Sequence, residues 1–319
     1  LGRRRGGFAA YHLGRPADGS APDGRHGGKC VRAALTLLSA RAVGGDPAAA
    51  VPAAAAVELV HNLSLLYDDV LDGDAVRRHR AAAWQVFGAA SATRAADALL
   101  LLAFEAFSGG SGDPRLAPEA AEALLDTLIR LAVGEGLDVL FEQRSRVGVE
   151  ECLEMVAGKT ASLFSLAGRL GALYGGAGPA DTARFAAFGQ DLGMAFQLVD
   201  DLLGIWGDGE VTGKPVFADL RARKMSTPVV AALASGTAAG EELARRYAAP
   251  PGPDPAGEGA LLAELVARAG GRRWVRERAD THLRSAARWL AELGERPGAD
   301  AEALLDLHAV RELIGTRSR

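Results

Sequence analysis

The stretch His61–Arg80, HNLSLLYDDVLDGDAVRRHR, runs from an apolar helical pattern into Asp68, Asp69 and Asp72, and then into Arg77 and Arg78. An Asp four residues after another returns to the same helix face one turn on, so Asp68 and Asp72 aim their carboxylates at one place. At ~6 Å and an effective dielectric of ~20, two such charges repel by about 3 kcal/mol. Asp is also a poor helix-interior residue. A second copy follows in Phe188–Asp208, FGQDLGMAFQLVDDLLGIWGD, which contributes Asp200 and Asp201. One such motif alone reads equally well as a solvated acidic face. Two copies, each trailed by cations (Arg77, Arg78 and Lys214), point to a bound ion that offsets the repulsion. Carboxylate donors suit a hard ion, Mg²⁺ before zinc. Carboxylates and cations around one cleft make a site for Mg²⁺ and a polyphosphate, where the metal takes most of its ligands from phosphate oxygens and water.

Outward from these motifs, helix-type periodicity dominates and period-two β-branched runs are nearly absent. Asp46-Pro47 and Thr227-Pro228 read as a cap followed by Pro at the first helical position, and Asp181 as a cap after Gly178-Pro179. Gly- and Pro-rich stretches at 109–114, 175–179 and 248–255 punctuate the chain. Long helices with short connections predict an all-α protein, a single antiparallel helical bundle. Residues 1–25 read as a flexible N-terminal tail and 26–319 as one helical domain. The two acidic motifs, far apart in the chain, share a metal cluster only if they lie on facing helices at the mouth of a deep central cavity. Leu59, Val60, Leu63, Ser64, Leu66 and Tyr67 before the first motif, and Met194, Phe196, Gln197, Leu198 and Val199 before the second, would then line an apolar shaft. Such a mouth over such a shaft suits a ligand with a diphosphate head and a hydrocarbon tail.

The remaining features narrow the class. A formal net charge of −4, with no basic stripe interleaved with aromatics, argues against nucleic acid. The apolar stretch from Ala48 to Leu66 is broken by Pro52, Glu58, His61 and Asn62, so no membrane span is expected. Cys30 and Cys152 lie far apart without metal-type spacing, which fits a reducing cytoplasm.

The ordered motifs resemble those of the trans-isoprenyl diphosphate synthases. Gly27-Gly28-Lys29-Cys30-Val31-Arg32 resembles GGKRxR, and His61 to Arg78 resembles the first aspartate-rich motif. Gly134-Glu135-Gly136-Leu137-Asp138 resembles GQxxD with Glu135 for Gln, and Gly158-Lys159-Thr160-Ala161 resembles GKTA. Phe196-Gln197 with Asp200-Asp201, then Gly213-Lys214-Pro215 and Asp219 to Pro228, complete the order over about Gly27 to Leu233. The resemblance implies the isoprenoid synthase fold, a likeness to bacterial geranylgeranyl diphosphate synthases, and a Mg²⁺-dependent head-to-tail condensation of isopentenyl diphosphate with an allylic diphosphate.

It also implies roles. Asp68 and Asp72 would hold two Mg²⁺ ions and Asp200 a third, with Asp69 and Asp201 beside them. Arg77, Lys159, Lys214 and Lys224 would bind the allylic diphosphate. Lys29, Arg32, His61 and Arg78 would bind isopentenyl diphosphate, and Phe196 would pack on it. Thr160 and Gln197 would point oxygen dipoles at the allylic cation. Leu63, Ser64 and Val60 would govern product length, the tail ending near Val60, Leu59 and Ala56 or against the helix of Val133 and Leu137. A homodimer is implied, and an association with a protein shell, as some relatives show, is compatible. The departures are Cys30 for Arg, Ala33 for Pro, Ala81-Ala82 for Pro-Thr and Gly204 for the last Asp of the second motif. The competing readings are a class I terpene cyclase, which needs no second substrate, and a non-catalytic scaffold or cargo subunit, which usually loses the Asp motifs.

Overall fold

The protein is described here by a computed structural model over residues 7–14, 30–78, 80–108, 113–207, 216–249 and 255–316. Helices make up nearly all of it. In chain order they are α1 (Gly7–His12), α2 (Val31–Ala42), α3 (Val51–Leu71), α4 (Ala83–Phe87), α5 (Ala89–Ser108), α6 (Ala117–Glu142), α7 (Val149–Val156), α8 (Ser162–Tyr174) and α9 (Pro179–Trp206). Then follow α10 (Ala218–Arg221), α11 (Thr227–Leu233), α12 (Ala238–Ala248), α13 (Pro255–Arg268), α14 (Gly271–Gly294) and α15 (Ala301–Thr316). One hairpin of two-residue strands, Val76–Arg77 and Arg80–Ala81, follows the first acidic motif.

The bundle is organised around α9, which packs along α8 on one side and α14 on the other. Helix α2 lies on α8, and α3 on α5. Leu35, Val57, Val60, Leu66, Leu99, Leu124, Phe164, Phe185, Phe188 and Leu192 are buried in the one large core these helices share. A second, smaller core of Ile205, Leu220, Val229, Leu243, Leu262 and Val266 joins α10–α13 to the end of α9. Trp206 and Met225 touch both cores. Segment Pro47–Leu71 is long and apolar enough to cross a membrane by length and composition. Here it is a core helix whose apolar residues pack on α5, α2 and α8.

Several local expectations are corrected. Asp46 does cap, accepting from the Ala48 amide at 2.9 Å. Thr227 does not: Ser226 occupies the cap position, and Thr227 gives its amide and hydroxyl to Asp201. Asp181 lies inside the first turn of α9, paired with Arg184 and Arg296. The described part of the expected N-terminal tail, 7–14, is largely the helical segment α1, held by Phe8 and Tyr11 edge-on to Phe87 and by the Tyr11 hydroxyl donating to the Ala81 carbonyl.

Candidate active site

Between α7 and α8 the helix widens into a π turn over Ala157–Ala161. Such insertions re-aim side chains and cluster at functional sites. The turn is pressed against α6 with no room for a side chain: a Cβ on Gly134 would stand 2.3 Å from the Lys159 amide nitrogen, and one on Gly158 2.7 Å from the Arg130 carbonyl. That contact sets Lys159 among carboxylates. Its Nζ is 2.6 Å from Glu135, 2.8 Å from Asp138 and 3.9 Å from Asp68. Burial alone would lower the ammonium pKa, but Asp68, Asp138 and Glu135 hold it well above its usual value. Lys224 lies 4.0 Å from Asp138 on the same side.

The paired aspartates divide their work. Asp68 is mostly buried at the end of α3, and burial followed by the charge of Asp72 raises its pKa, against the pull of Lys159. Asp72 is exposed at the helix C-terminus. Asp69, one residue on and about 100° round the helix, is buried and accepts from Arg77 Nε at 2.7 Å. In α9, Asp200 is exposed, whereas Asp201 is buried and accepts from Gln197 Nε2 at 2.7 Å and from Thr227. Burial, then the charge of Asp219, pushes the Asp201 carboxyl up to about 6. Both Asp201 oxygens are taken by protein donors, and Asp69 gives Oδ1 to Arg77 while its buried Oδ2 has no partner among the described residues; the two brace Arg77 and the α9–α11 junction. The Thr160 hydroxyl donates to Gln197 Oε1 at 2.7 Å, which joins the π turn to the second motif.

A second cluster is cationic. Arg32 stacks its guanidinium over Phe164 at 4.5 Å, with the Phe196 ring at 6.0 Å, and its Nη1 is 3.4 Å from His61 Nε2. Burial lowers its pKa to about 10 in spite of Glu58 and Asp200. Burial, Arg32 and Arg78 push His61 down to about 2, so its ring is neutral. Arg78, in the left-handed region at φ 51, reaches toward Asn62. Lys29 and Lys214 lie outside the described residues.

Among the described residues, no three His, Cys, Asp or Glu side chains close on a single point as a preformed metal cage. The donor chemistry of Asp68, Asp72 and Asp200 still fits a hard ion that takes few protein ligands. At the altered end of the second motif, a Cβ on Gly204 would meet Asp219 Oδ2 at 2.2 Å. The Asp219 carboxylate therefore fills the space that a side chain at 204 would need. Glu135, Asp138 and Thr227 join the site beyond the residues the sequence singles out: the i, i+3 spacing of Glu135 and Asp138 in one motif is the signal for the first two, whereas the context of Thr227 imitates a helix cap.

With this geometry in hand, a model of the family described as "Polyprenyl synthetase" matches residues 24–254. The chain belongs to the polyprenyl synthetase family. It is 43% identical over 311 residues to the geranylgeranyl diphosphate synthase of Mycobacterium tuberculosis, covering 97% of this chain and 86% of that one. It is 41% identical over 299 residues to the (2E,6E)-farnesyl diphosphate synthase of the same species, covering 92% and 83%. The crystal structure of a polyprenyl synthetase from Streptomyces coelicolor superposes with a TM-score of 0.89 at 42% identity, covering 98% of this chain and 93% of that one. This polyprenyl synthetase is accordingly a prenyltransferase with the all-α isoprenoid synthase fold, which sets aside the terpene cyclase and scaffold readings as its primary class.

Glu135 gives this site a titration of its own. Burial, then the Asp68 charge, raises its carboxyl from 4.5 to about 7. An acid whose folded pKa is raised costs stability as pH climbs through that interval, and the cost is complete above it. Glu135→Gln, without added metal, is expected to leave stability unchanged near pH 4.5 and to gain about 1–3 kcal/mol near pH 8. Thermal melts at the two pH values check this; a pH-independent difference would mean that Lys159 keeps the carboxylate ionised throughout.

Proposed function

We propose that this prenyl diphosphate synthase condenses isopentenyl diphosphate with an allylic diphosphate in the presence of Mg²⁺, and that its product is geranylgeranyl diphosphate. The observation that carries the reading is the pairing of two unlike subsites. One has carboxylates bridged by Lys159 beside the Thr160–Gln197 pair; the other has the neutral His61 between Arg32 and Arg78. The first suits a diphosphate that arrives with metal, the second a diphosphate held by cations alone.

Asp68, Asp72 and Asp200 would hold the ions, about three in number as the family resemblance implies, and bound Mg²⁺ supplies positive charge to the departing diphosphate. Lys159, Lys224, Arg77 and Lys214 hold that leaving group, Lys159 exchanging its carboxylate partners for phosphate oxygens. The allylic carbon–oxygen bond breaks, its electron pair leaving with the diphosphate. The Gln197 carbonyl and the lone pairs of the Thr160 hydroxyl are the dipoles available to the developing cation. The double bond of isopentenyl diphosphate, held by Arg32, His61, Arg78 and Lys29, then forms the new carbon–carbon bond. The proton lost from that substrate passes to the released diphosphate. Buried Leu198, Val199 and Leu66 keep water from the cation.

Product length rests on the floor of the shaft. Val60 and Leu63 are buried in the core and Ser64 is half-buried, none of them aromatic. Val133 is 58% exposed on the outside of α6, which removes it from the expected floor and leaves Leu137. Incubation with Mg²⁺, isopentenyl diphosphate and dimethylallyl, geranyl or farnesyl diphosphate should give geranylgeranyl diphosphate as the longest major product. Leu63→Phe or Ser64→Phe should shift it to farnesyl diphosphate. A wild type that stops at farnesyl diphosphate sinks the length assignment; no condensation at all sinks the whole reading. A homodimer is supported by an exposed apolar stripe, Leu101 and Leu102 on α5 with Leu125, Ile129, Val133 and Leu140 on α6.

A further inference from the structure

Where α1 meets the hairpin after the first acidic motif, Tyr11, His12, Arg77, Arg78 and Arg80 line a pocket. Arg80 stacks over the Tyr11 ring at 4.2 Å, and the Tyr11 hydroxyl ties α1 to Ala81. His12 is only 8% exposed, and its Nε2 is buried without a hydrogen-bond partner among the described residues. A buried imidazole nitrogen left unpaired costs free energy unless something else completes it. Its surroundings say what could. Burial, Arg78 and Arg77 push its pKa down to about 4, against a hydrogen bond with the Asn62 side chain that engages the other ring nitrogen, since Nε2 is unpartnered. A neutral imidazole among guanidinium groups is poised for an oxyanion, which it meets through Nε2–H in the tautomer whose Nδ1 accepts from the Asn62 amide.

We propose that His12 is a further binding residue of the isopentenyl diphosphate subsite, and that the N-terminal helix α1 forms one wall of it. This rests on the function proposed above, because Arg78 belongs both to this pocket and to the cationic cluster with Arg32 and His61. It extends that subsite to a segment outside the motif order from Gly27 to Leu233.

The test uses the full chain. Titration calorimetry with isopentenyl diphosphate in EDTA reads the cationic subsite without metal, and steady-state kinetics with Mg²⁺ reads both substrates. His12→Ala should weaken isopentenyl diphosphate binding and raise its KM by roughly tenfold, the scale of one lost hydrogen bond to a charged group. The KM for geranyl diphosphate should change much less, within about threefold, because among the allylic-diphosphate residues only Arg77 borders the His12 pocket, and Asp69 holds it independently of His12. His12→Gln, which keeps an N–H at a similar reach, should recover most of the affinity. A His12→Ala variant that binds isopentenyl diphosphate like wild type while wild type condenses normally overturns this inference alone. So does a variant that loses affinity for both substrates in step with its melting temperature and is not rescued by Gln. A wild type that neither binds isopentenyl diphosphate nor condenses it overturns the inference together with the function beneath it.

Discussion

Asp68→Ala and Asp200→Ala are each expected to lower kcat by roughly 10³-fold or more, the scale on which preorganised stabilisation of a leaving charge is lost. Neither should lower the melting temperature. Asp68 meets Lys159 only at 3.9 Å and faces the like charge of Asp72, so its removal breaks no close ion pair, whereas Asp69 holds Arg77 at hydrogen-bond distance. Lys159 retains Glu135 and Asp138. Asp200 is exposed at the end of α9. The neighbouring Asp69 makes the contrast: Asp69→Ala strips a buried carboxylate from Arg77 and should cost about 1–3 kcal/mol of stability. Paired melts and turnover measurements separate the two kinds of aspartate. Near-normal Mg²⁺-dependent turnover in Asp68→Ala or Asp200→Ala would refute the metal assignment.

That contrast marks the boundary of what the sequence made legible. Two acidic motifs ending apolar helices predicted an all-α bundle, because helical periodicity is a local property and is visible in a short window. It also singled out Asp68 and Asp72, whose spacing alone puts them on one face. Adjacent aspartates differ by about 100° in direction, and which of the two turns inward depends on a partner elsewhere. For Asp201 that partner is Thr227, twenty-six residues on, whose own sequence context imitates a helix cap. The carboxylate cage around Lys159 needs α3, α6 and the π turn together, and nothing in Gly158-Lys159-Thr160-Ala161 announces an irregular helix. Helix α1 has only six residues, too short for a periodic signal and too short to hold without the ring of Phe87 beneath it. Such a segment leaves no trace in the sequence pattern, and His12 is hidden with it.

The same non-local logic reverses the sign of an ordinary substitution. Gly134 sits inside α6, where helix propensity alone predicts that Gly→Ala stabilises by about 1 kcal/mol. The structure predicts the opposite. The new Cβ would lie 2.3 Å from the Lys159 nitrogen, 2.7 Å from the Gly158 carbonyl carbon and 2.9 Å from the Lys159 Cα. All three are backbone atoms, so no side-chain rotation can make room, and α6 must part from the π turn. Overpacking of this kind costs about 1–3 kcal/mol, and the lost turn contact adds to it. The separation also carries Lys159 away from Asp68, Glu135 and Asp138, and Thr160 away from Gln197. A displacement of about 1 Å at reacting groups lowers turnover by roughly 10²-fold. Gly134→Ala is therefore expected to lower the melting temperature and kcat together, while Arg32 and His61 on other helices and Arg78 in the hairpin turn keep the affinity for isopentenyl diphosphate close to wild type. Chemical denaturation, turnover and calorimetry on the one variant read all three consequences. A stabilised Gly134→Ala with full turnover would show that the π turn tolerates a looser seat on α6, and that the position of Lys159 does not depend on it.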